Sequence, residues 1–175
     1  MINTIIDVNH DNSLDFAKLQ KAGIVAIIHK ATEGTTFKDP KYKARKKQAM
    51  ELGFLWGAYH FSSGGDPIAQ VKNFLSVEDA TDPEVLIALD WEESPGADMT
   101  LVQARKFVTE VKARTGRFPL VYGANLIREN VTKEDKTLKN CPLWYARFKD
   151  KPIGIPTHTW PTFTLHQYTD GVAGP

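Results

Sequence analysis

Asp90 and Glu92 stand two residues apart at the end of an unbroken apolar run, Val85-Leu86-Ile87-Ala88-Leu89. A run of this kind, bounded by polar residues, reads as a fully buried strand. Alternate side chains of a strand share a face, so the two carboxylates project the same way at its carboxyl end. Two strand rises separate them by about 6–7 Å, a spacing that suits two acids working on one glycosidic oxygen and its sugar ring. The alternative is a strand end that runs into a solvated acidic loop, and the remaining elements must decide between the two.

Short apolar runs alternate with amphipathic segments along the whole chain. Strands are expected at 4–8, 25–29, 54–61, 85–90, 120–122, 143–147 and 163–168, and helices at 15–22, 41–52, 68–77 and 100–114. Gly23, Gly53 and Gly116 serve as helix stops. The segment 30–40 reads as a polar loop. Such alternation argues for parallel strands joined by crossover helices, either a barrel or an open sheet, and in both ligands gather at the carboxyl ends of the strands. Those ends carry Asp7 and His10, His29 and Lys30, Tyr59 and His60, Asp90 and Glu92, Tyr122, Arg147, and Gln167 with Tyr168 and Asp170. So many polar and aromatic groups on one rim describe a polar, aromatic-lined cleft of the type that holds carbohydrate. For His60 the reading favoured is a buried, hydrogen-bonded histidine outside the chemistry.

Composition excludes several classes. The 175 residues are 42% hydrophobic, enough for one sizeable core and one domain. With 22 basic against 21 acidic residues, no global field points to nucleic acid. The dense basic stretch from Lys38 to Lys47 is interleaved with apolar residues at near-helical spacing and reads as a solvated helix face. A single cysteine, Cys141, precludes an intrachain disulfide and a cysteine metal site. No apolar stretch approaches the roughly 20 residues that span a bilayer, and Met1-Ile2-Asn3-Thr4 carries neither the basic n-region nor the cleavage site of a signal peptide.

Seven motifs in order resemble glycoside hydrolase family 25, the lysozyme (N-acetylmuramidase) family. They are Ile6-Asp7-Val8-Asn9-His10, Lys30-Ala31-Thr32-Glu33-Gly34, Gly57-Ala58-Tyr59-His60-Phe61, Ala88-Leu89-Asp90-Trp91-Glu92, Pro119-Leu120-Val121-Tyr122, Leu143-Trp144-Tyr145-Ala146-Arg147 and Gln167-Tyr168. The resemblance implies an α/β fold, an irregular and flattened TIM-like β/α barrel in a single domain. It implies peptidoglycan as substrate, cut at the β-1,4 bond between N-acetylmuramic acid and N-acetylglucosamine. Glu92 falls on the family's general acid, Asp90 on its partner carboxylate and Asp7 on a further carboxylate of the cluster. Lys30, Glu33, Tyr59, Trp91, Tyr122, Trp144 and Gln167 match positions that line the sugar groove.

The chain departs from the family pattern in three places. Asn9-His10-Asp11-Asn12 stands where the family carries Ser-x-Trp or Ser-x-x-Gln. His166 precedes Gln167 where an aromatic residue is common. The family places another aspartate on a final strand after the Gln-Tyr motif, and Asp170 arrives early for that role. Residues 1–175 are therefore expected to form a family 25-like catalytic domain without its final strand.

On these residues, Glu92 delivers a proton to the leaving oxygen. Asp90 either attacks the anomeric carbon or orients the substrate's N-acetyl group to do so. The expectation is a muramidase needing no cofactor or metal. It acts as a monomer on the glycan strand of the cell wall, secreted or phage-released, with no nucleic-acid partner and no membrane span. Two rivals remain. A glycan-binding module that has lost turnover keeps the groove without the chemistry. A metal-dependent hydrolase draws on His10, His29, His60 and His166 near the strand ends, although no HxH or HExxH spacing occurs.

Overall fold

The computed structural model describes residues 4–171. Its strands are β1 (Ile5–Val8), β2 (Ala26–Glu33), β3 (Phe37–Lys38), β4 (Leu55–Phe61), β5 (Leu86–Asp90), β6 (Leu120–Gly123), β7 (Leu143–Ala146) and β8 (Leu165–Gln167). Among the described residues they form one sheet in the order β1-β2-β4-β5-β6-β7-β8, with β3 pairing off β2. Every pairing along that path is parallel, and only the β2–β3 hairpin is antiparallel. The helices are α1 (Phe16–Lys21), α2 (Tyr42–Glu51), α3 (Pro67–Leu75), α4 (Leu101–Thr115) and α5 (Asn125–Asn130).

Two apolar layers divide the sheet. The larger joins the outward residues of the strands, such as Ile27, Ala58, Leu89 and Val121, to helix residues Phe74, Phe107 and Val108. The smaller lies on the opposite, concave face and holds Ile28, Tyr59, Ala88, Tyr122, Trp144 and Ala146. Period-two alternation thus sends one set under the helices and the other toward a groove. The sheet curls as a barrel does but, among the described residues, stays open between β1 and β8. A hollow of about 840 Å³ runs along that seam.

Local chemistry fixes the elements. Asp15 and Asp66 cap α1 and α3 with their carboxylates, and Pro67 opens α3. Thr100 and Gln103 form a reciprocal capping box on α4, and Gly116 ends it with φ +79°, a conformation that favours glycine. The basic stretch is in part a solvated face, with Lys41, Lys43 and Lys47 exposed, and in part tied into the fold. Arg45 donates to the carbonyls of Asn9 and Asn12, and Lys46 reaches the buried Glu78 carboxylate at 2.6 Å.

Two expectations need correction. The segment 30–40 is not a loop throughout: β2 continues to Glu33 and turns back through β3. Polar residues broke the apolar run that marks a strand, but here they find partners inside the protein. Asn73 of α3 ties the hairpin together by donating to the carbonyls of Gly34 and Phe37, both at 3.0 Å. The second correction is α5, whose six residues are too short to display helical periodicity.

Candidate active site

The groove is built from the carboxyl ends of six strands. Asp7 and Asn9 come from β1 and its exit, Lys30 from β2, Tyr59 and Phe61 from β4, Asp90 and Glu92 from β5 and its exit, Tyr122 from β6 and Trp144 from β7. Together they enclose a hollow of about 200 Å³. Gln167 on β8 joins from the far edge, donating its amide nitrogen to Asp7 Oδ2 at 2.8 Å and accepting from the Tyr122 hydroxyl. The larger seam hollow shares Asp7, Asn9 and Trp144 with this groove but contains neither Asp90 nor Glu92, so the carboxyl cluster faces the smaller one.

Glu92 reaches the groove because the chain beyond β5 stays against β6. Trp91 N donates to the Tyr122 carbonyl at 2.9 Å, extending the pairing one residue past the strand. Gly123 permits that approach: a Cβ there would lie 2.6 Å from the Trp91 carbonyl oxygen.

Three carboxyls share the hollow, and all three hold their protons more tightly than usual. Asp90 is 7% exposed and its Oδ1 has no hydrogen-bond partner. Desolvation raises its pKa well above the ordinary aspartate value, and the charges of Glu92 and Asp7 add to the effect while Lys30 opposes it. Desolvation also raises Glu92, with help from Asp7, against a hydrogen bond from Tyr122. Asp7 sits at the rim with its side chain still reached by solvent, and crowding by protein pushes it up to about 6. Tyr59 and Tyr122 stay protonated phenols because burial and the neighbouring carboxylates raise both.

Glu33 joins Lys30 at the edge of the groove by an irregularity in β2. In a regular strand, residues three apart face opposite sides. The register between β2 and β4 shifts between Lys30 and Thr32, so that Lys30 pairs with Tyr59 and Thr32 with His60. Ala31 and Thr32 both turn toward the helices, which returns Glu33 to the side of Lys30, and the two form an ion pair. A buried latch holds the bulge. Thr32 Oγ1 bonds His60 Nδ1 at 2.8 Å, and His60 Nε2 bonds Gln70 Oε1 at 3.1 Å. Burial lowers the His60 pKa to about 4, so the ring is neutral and each nitrogen has one defined role.

A family profile described as Glycosyl hydrolases family 25 matches residues 6–174. The chain belongs to this family. It is 28% identical over 139 residues to the "Autolytic lysozyme" of Clostridium acetobutylicum, a match covering 78% of this chain and 42% of that protein. It is 30% identical over 182 residues to "Lysozyme M1" of Streptomyces globisporus, covering 94% of this chain and 60% of that one. The chain thus spans about half the length of these two relatives. The structure of a family GH25 lysozyme from Aspergillus fumigatus superimposes with a TM-score of 0.83 at 28% identity, over 94% of this chain and 86% of that chain.

Of the sequence-expected site residues, Asp7, Lys30, Tyr59, Asp90, Glu92, Tyr122 and Trp144 line the hollow, and Gln167 and Glu33 bond to residues that do. Trp91 does not. It is fully buried on the helix side, its Nε1 donating to the Met99 carbonyl at 2.7 Å. Lying between Asp90 and Glu92 on one strand path, it must take the opposite face from both. Asn9 and Phe61 were missed, although each follows a recognised residue, Asp7 or Tyr59, by two positions and so shares its face. Tyr59, Tyr122 and Trp144 are 8%, 7% and 5% exposed and form the floor of the hollow. Phe61 carries the Lys30 ammonium 4.5 Å above its ring.

The four histidines do not converge. His29 and His60 lie on the helix side, His10 bonds Asp39 at 3.1 Å, and His166 bonds the Arg147 carbonyl at 2.8 Å. Among the described residues, no group of three or more histidine, cysteine, aspartate or glutamate side chains is placed to hold a metal ion. No helix among them is long and apolar enough to cross a membrane.

Proposed function

We propose that this chain is the catalytic domain of a muramidase, hydrolysing the β-1,4 bond between N-acetylmuramic acid and N-acetylglucosamine in peptidoglycan. The observation that carries this reading is the convergence of Asp7, Asp90 and Glu92 on one sugar-sized hollow within a family 25 fold. Like charges in one hollow oppose one another's ionisation, which favours keeping a proton within the cluster. Glu92 delivers that proton to the glycosidic oxygen. It is the more solvent-open member of the β5 pair.

Asp90 lies deeper, where a carboxylate stabilises positive charge developing at the anomeric carbon or steers the N-acetyl group toward it. Lys30 is spent on Glu33, which keeps Asp90 from being neutralised by a permanent ion pair. Asp7 completes the cluster. Lys30, Glu33, Tyr59, Tyr122, Trp144 and Gln167 shape the groove for the glycan. The substrate places that action at the cell wall.

The test is Glu92→Gln, which removes the proton but preserves shape. Release of soluble reducing sugar from peptidoglycan should fall by at least ~10², with the thermal unfolding curve retained. Unchanged turnover would remove Glu92 as the acid. Wall binding with no turnover in the unaltered domain would instead favour a glycan-binding module.

A further inference from the structure

We propose that Asn9 is a specificity-determining residue, its side-chain NH₂ donating to an amide carbonyl oxygen of the substrate where the carboxyl-lined groove opens into the seam. The proposal deepens the muramidase reading and rests on it for the kind of ligand. Asn9 follows β1 directly and lines both hollows, a place it shares with Asp7 and Trp144. Its backbone N–H donates to Asn12 Oδ1 at 2.8 Å, its carbonyl accepts from Arg45 Nη1 at 2.8 Å, and its side-chain oxygen accepts from Asp11 N at 2.7 Å. The last contact fixes which way the carboxamide points, since a backbone N–H only donates and must meet the oxygen. The nitrogen is what Asn9 offers to the hollows, and among the described residues it has no hydrogen-bond partner.

The loop that carries this donor is tied down at several points. Arg45 of α2 also donates to the Asn12 carbonyl at 2.6 Å. The buried Asp39 carboxylate accepts from His10 N at 2.9 Å and bonds His10 Nδ1 at 3.1 Å. A donor held this firmly loses little freedom when a ligand arrives. A serine, which the family pattern has at this position, could accept from Asp11 N through its hydroxyl and keep the turn. It would bring no NH₂, so the added donor is a feature of this chain.

The rest of the groove selects the acceptor. Asp7, Asp90 and Glu92 present carboxyl oxygens, Lys30 is paired with Glu33, and Tyr122 gives its hydrogen to Gln167. Sugar hydroxyls can donate to such a surface. An amide carbonyl can only accept, and among carboxylates it needs a donor. The Tyr59 hydroxyl also has no partner among the described residues, but a phenol gives or receives, whereas the Asn9 NH₂ only gives. Peptidoglycan carries amide carbonyls in two places that a groove of this size can reach, the N-acetyl groups of its sugars and the lactyl–peptide amide of muramic acid.

The experiment is a ¹H–¹⁵N NMR titration that follows the Asn9 side-chain NH₂ in the Glu92→Gln domain, where cleavage is suppressed. One ligand is N-acetylglucosaminyl-N-acetylmuramoyl dipeptide. The other is tetra-N-acetylchitotetraose, which has acetamides and no lactyl group. One NH₂ proton of Asn9 should move downfield saturably. Movement with both ligands assigns the acetamide carbonyl, and movement with the muramoyl ligand alone assigns the lactyl amide. Asn9→Ser should raise the Kd of the contacting ligand about fivefold, the worth of one neutral hydrogen bond.

Should Asn9→Ser fail to fold, the NH₂ signal decides by itself, because it needs no substitution at Asn9. An Asn9 signal that stays in place while the backbone amides of Tyr59 and Trp144 saturate overturns the proposal, as does equal affinity in a folded Asn9→Ser variant. Either result leaves the muramidase reading standing. Backbone amides of Tyr59 and Trp144 that respond to neither ligand would instead refute the glycan reading of the groove, and this inference with it.

Discussion

Asp90→Asn should make the protein more stable at neutral pH while removing most of its activity. The Asp90 side chain is nearly enclosed and its Oδ1 meets no donor. A buried, unsatisfied and potentially charged oxygen costs on the order of 2 kcal/mol, and asparagine removes the charge while adding hydrogens that Asp7 and Glu92 can accept. At about 2–4 °C per kcal/mol for a domain of this size, the melting temperature should rise by about 4–8 °C near pH 7.

The pH dependence gives the prediction its specificity. The folded-state pKa of Asp90 is raised, so below about pH 4 the carboxyl is protonated in both folded and unfolded chains and the variant gains nothing. As pH climbs past the ordinary aspartate value, the unfolded chain releases its proton and the folded one does not. The wild type then loses stability progressively, until the folded carboxyl ionises as well. Thermal melts followed by tryptophan fluorescence between about pH 4 and pH 8 will show whether the gap opens on the alkaline side. An asparagine variant less stable than wild type at neutral pH, or stabilised equally at both ends of the range, would refute the reasoning.

Thr32→Val keeps the shape of the β2 bulge but removes the donor to His60, and should cost about 1–2 kcal/mol in urea unfolding. Because Glu33 meets Lys30 at the groove edge only through that bulge, initial rates on wall fragments should show KM rising more than kcat falls. On the helix side, Glu78→Ala strips the buried partner from Tyr42 and Lys46. Lys46 remains 24% exposed, so the loss should be about 2–3 kcal/mol by urea unfolding, below the 3–5 kcal/mol typical of a fully buried pair, with the rate of wall hydrolysis per folded molecule little changed.

Much of this architecture was legible because strand periodicity is simple. The buried run ending at Asp90 gave β5, and the two-residue spacing put Glu92 beside Asp90 on the groove side. The same rule places Trp91 on the helix side. The family resemblance puts it in the groove only because the motif matches as a block, whereas alternation assigns its three residues to two faces. Asn9 and Phe61 were equally readable by counting two from Asp7 and Tyr59.

Other features were not readable from spacing. The bulge at Ala31 and Thr32 reverses the face of Glu33, and no pattern in Lys30-Ala31-Thr32-Glu33 announces it. It depends on His60 and Gln70, which are distant in sequence and meet Thr32 only in the fold. The hydrogen-bonded path from Asp7 through Gln167 to Tyr122 spans β1, β8 and β6, three strands that only the curl of the sheet brings together. The seam between β1 and β8 is likewise a property of the sheet order. The short α5 lacked the length to declare itself.

The most direct measurement of the central claim is the identity of the new chain end. Peptidoglycan digested by the domain, reduced with borohydride and analysed by mass spectrometry, should yield fragments ending in reduced N-acetylmuramic acid, and the Glu92→Gln variant should yield almost none. Fragments ending in reduced N-acetylglucosamine, or soluble peptides with intact glycan, would contradict it.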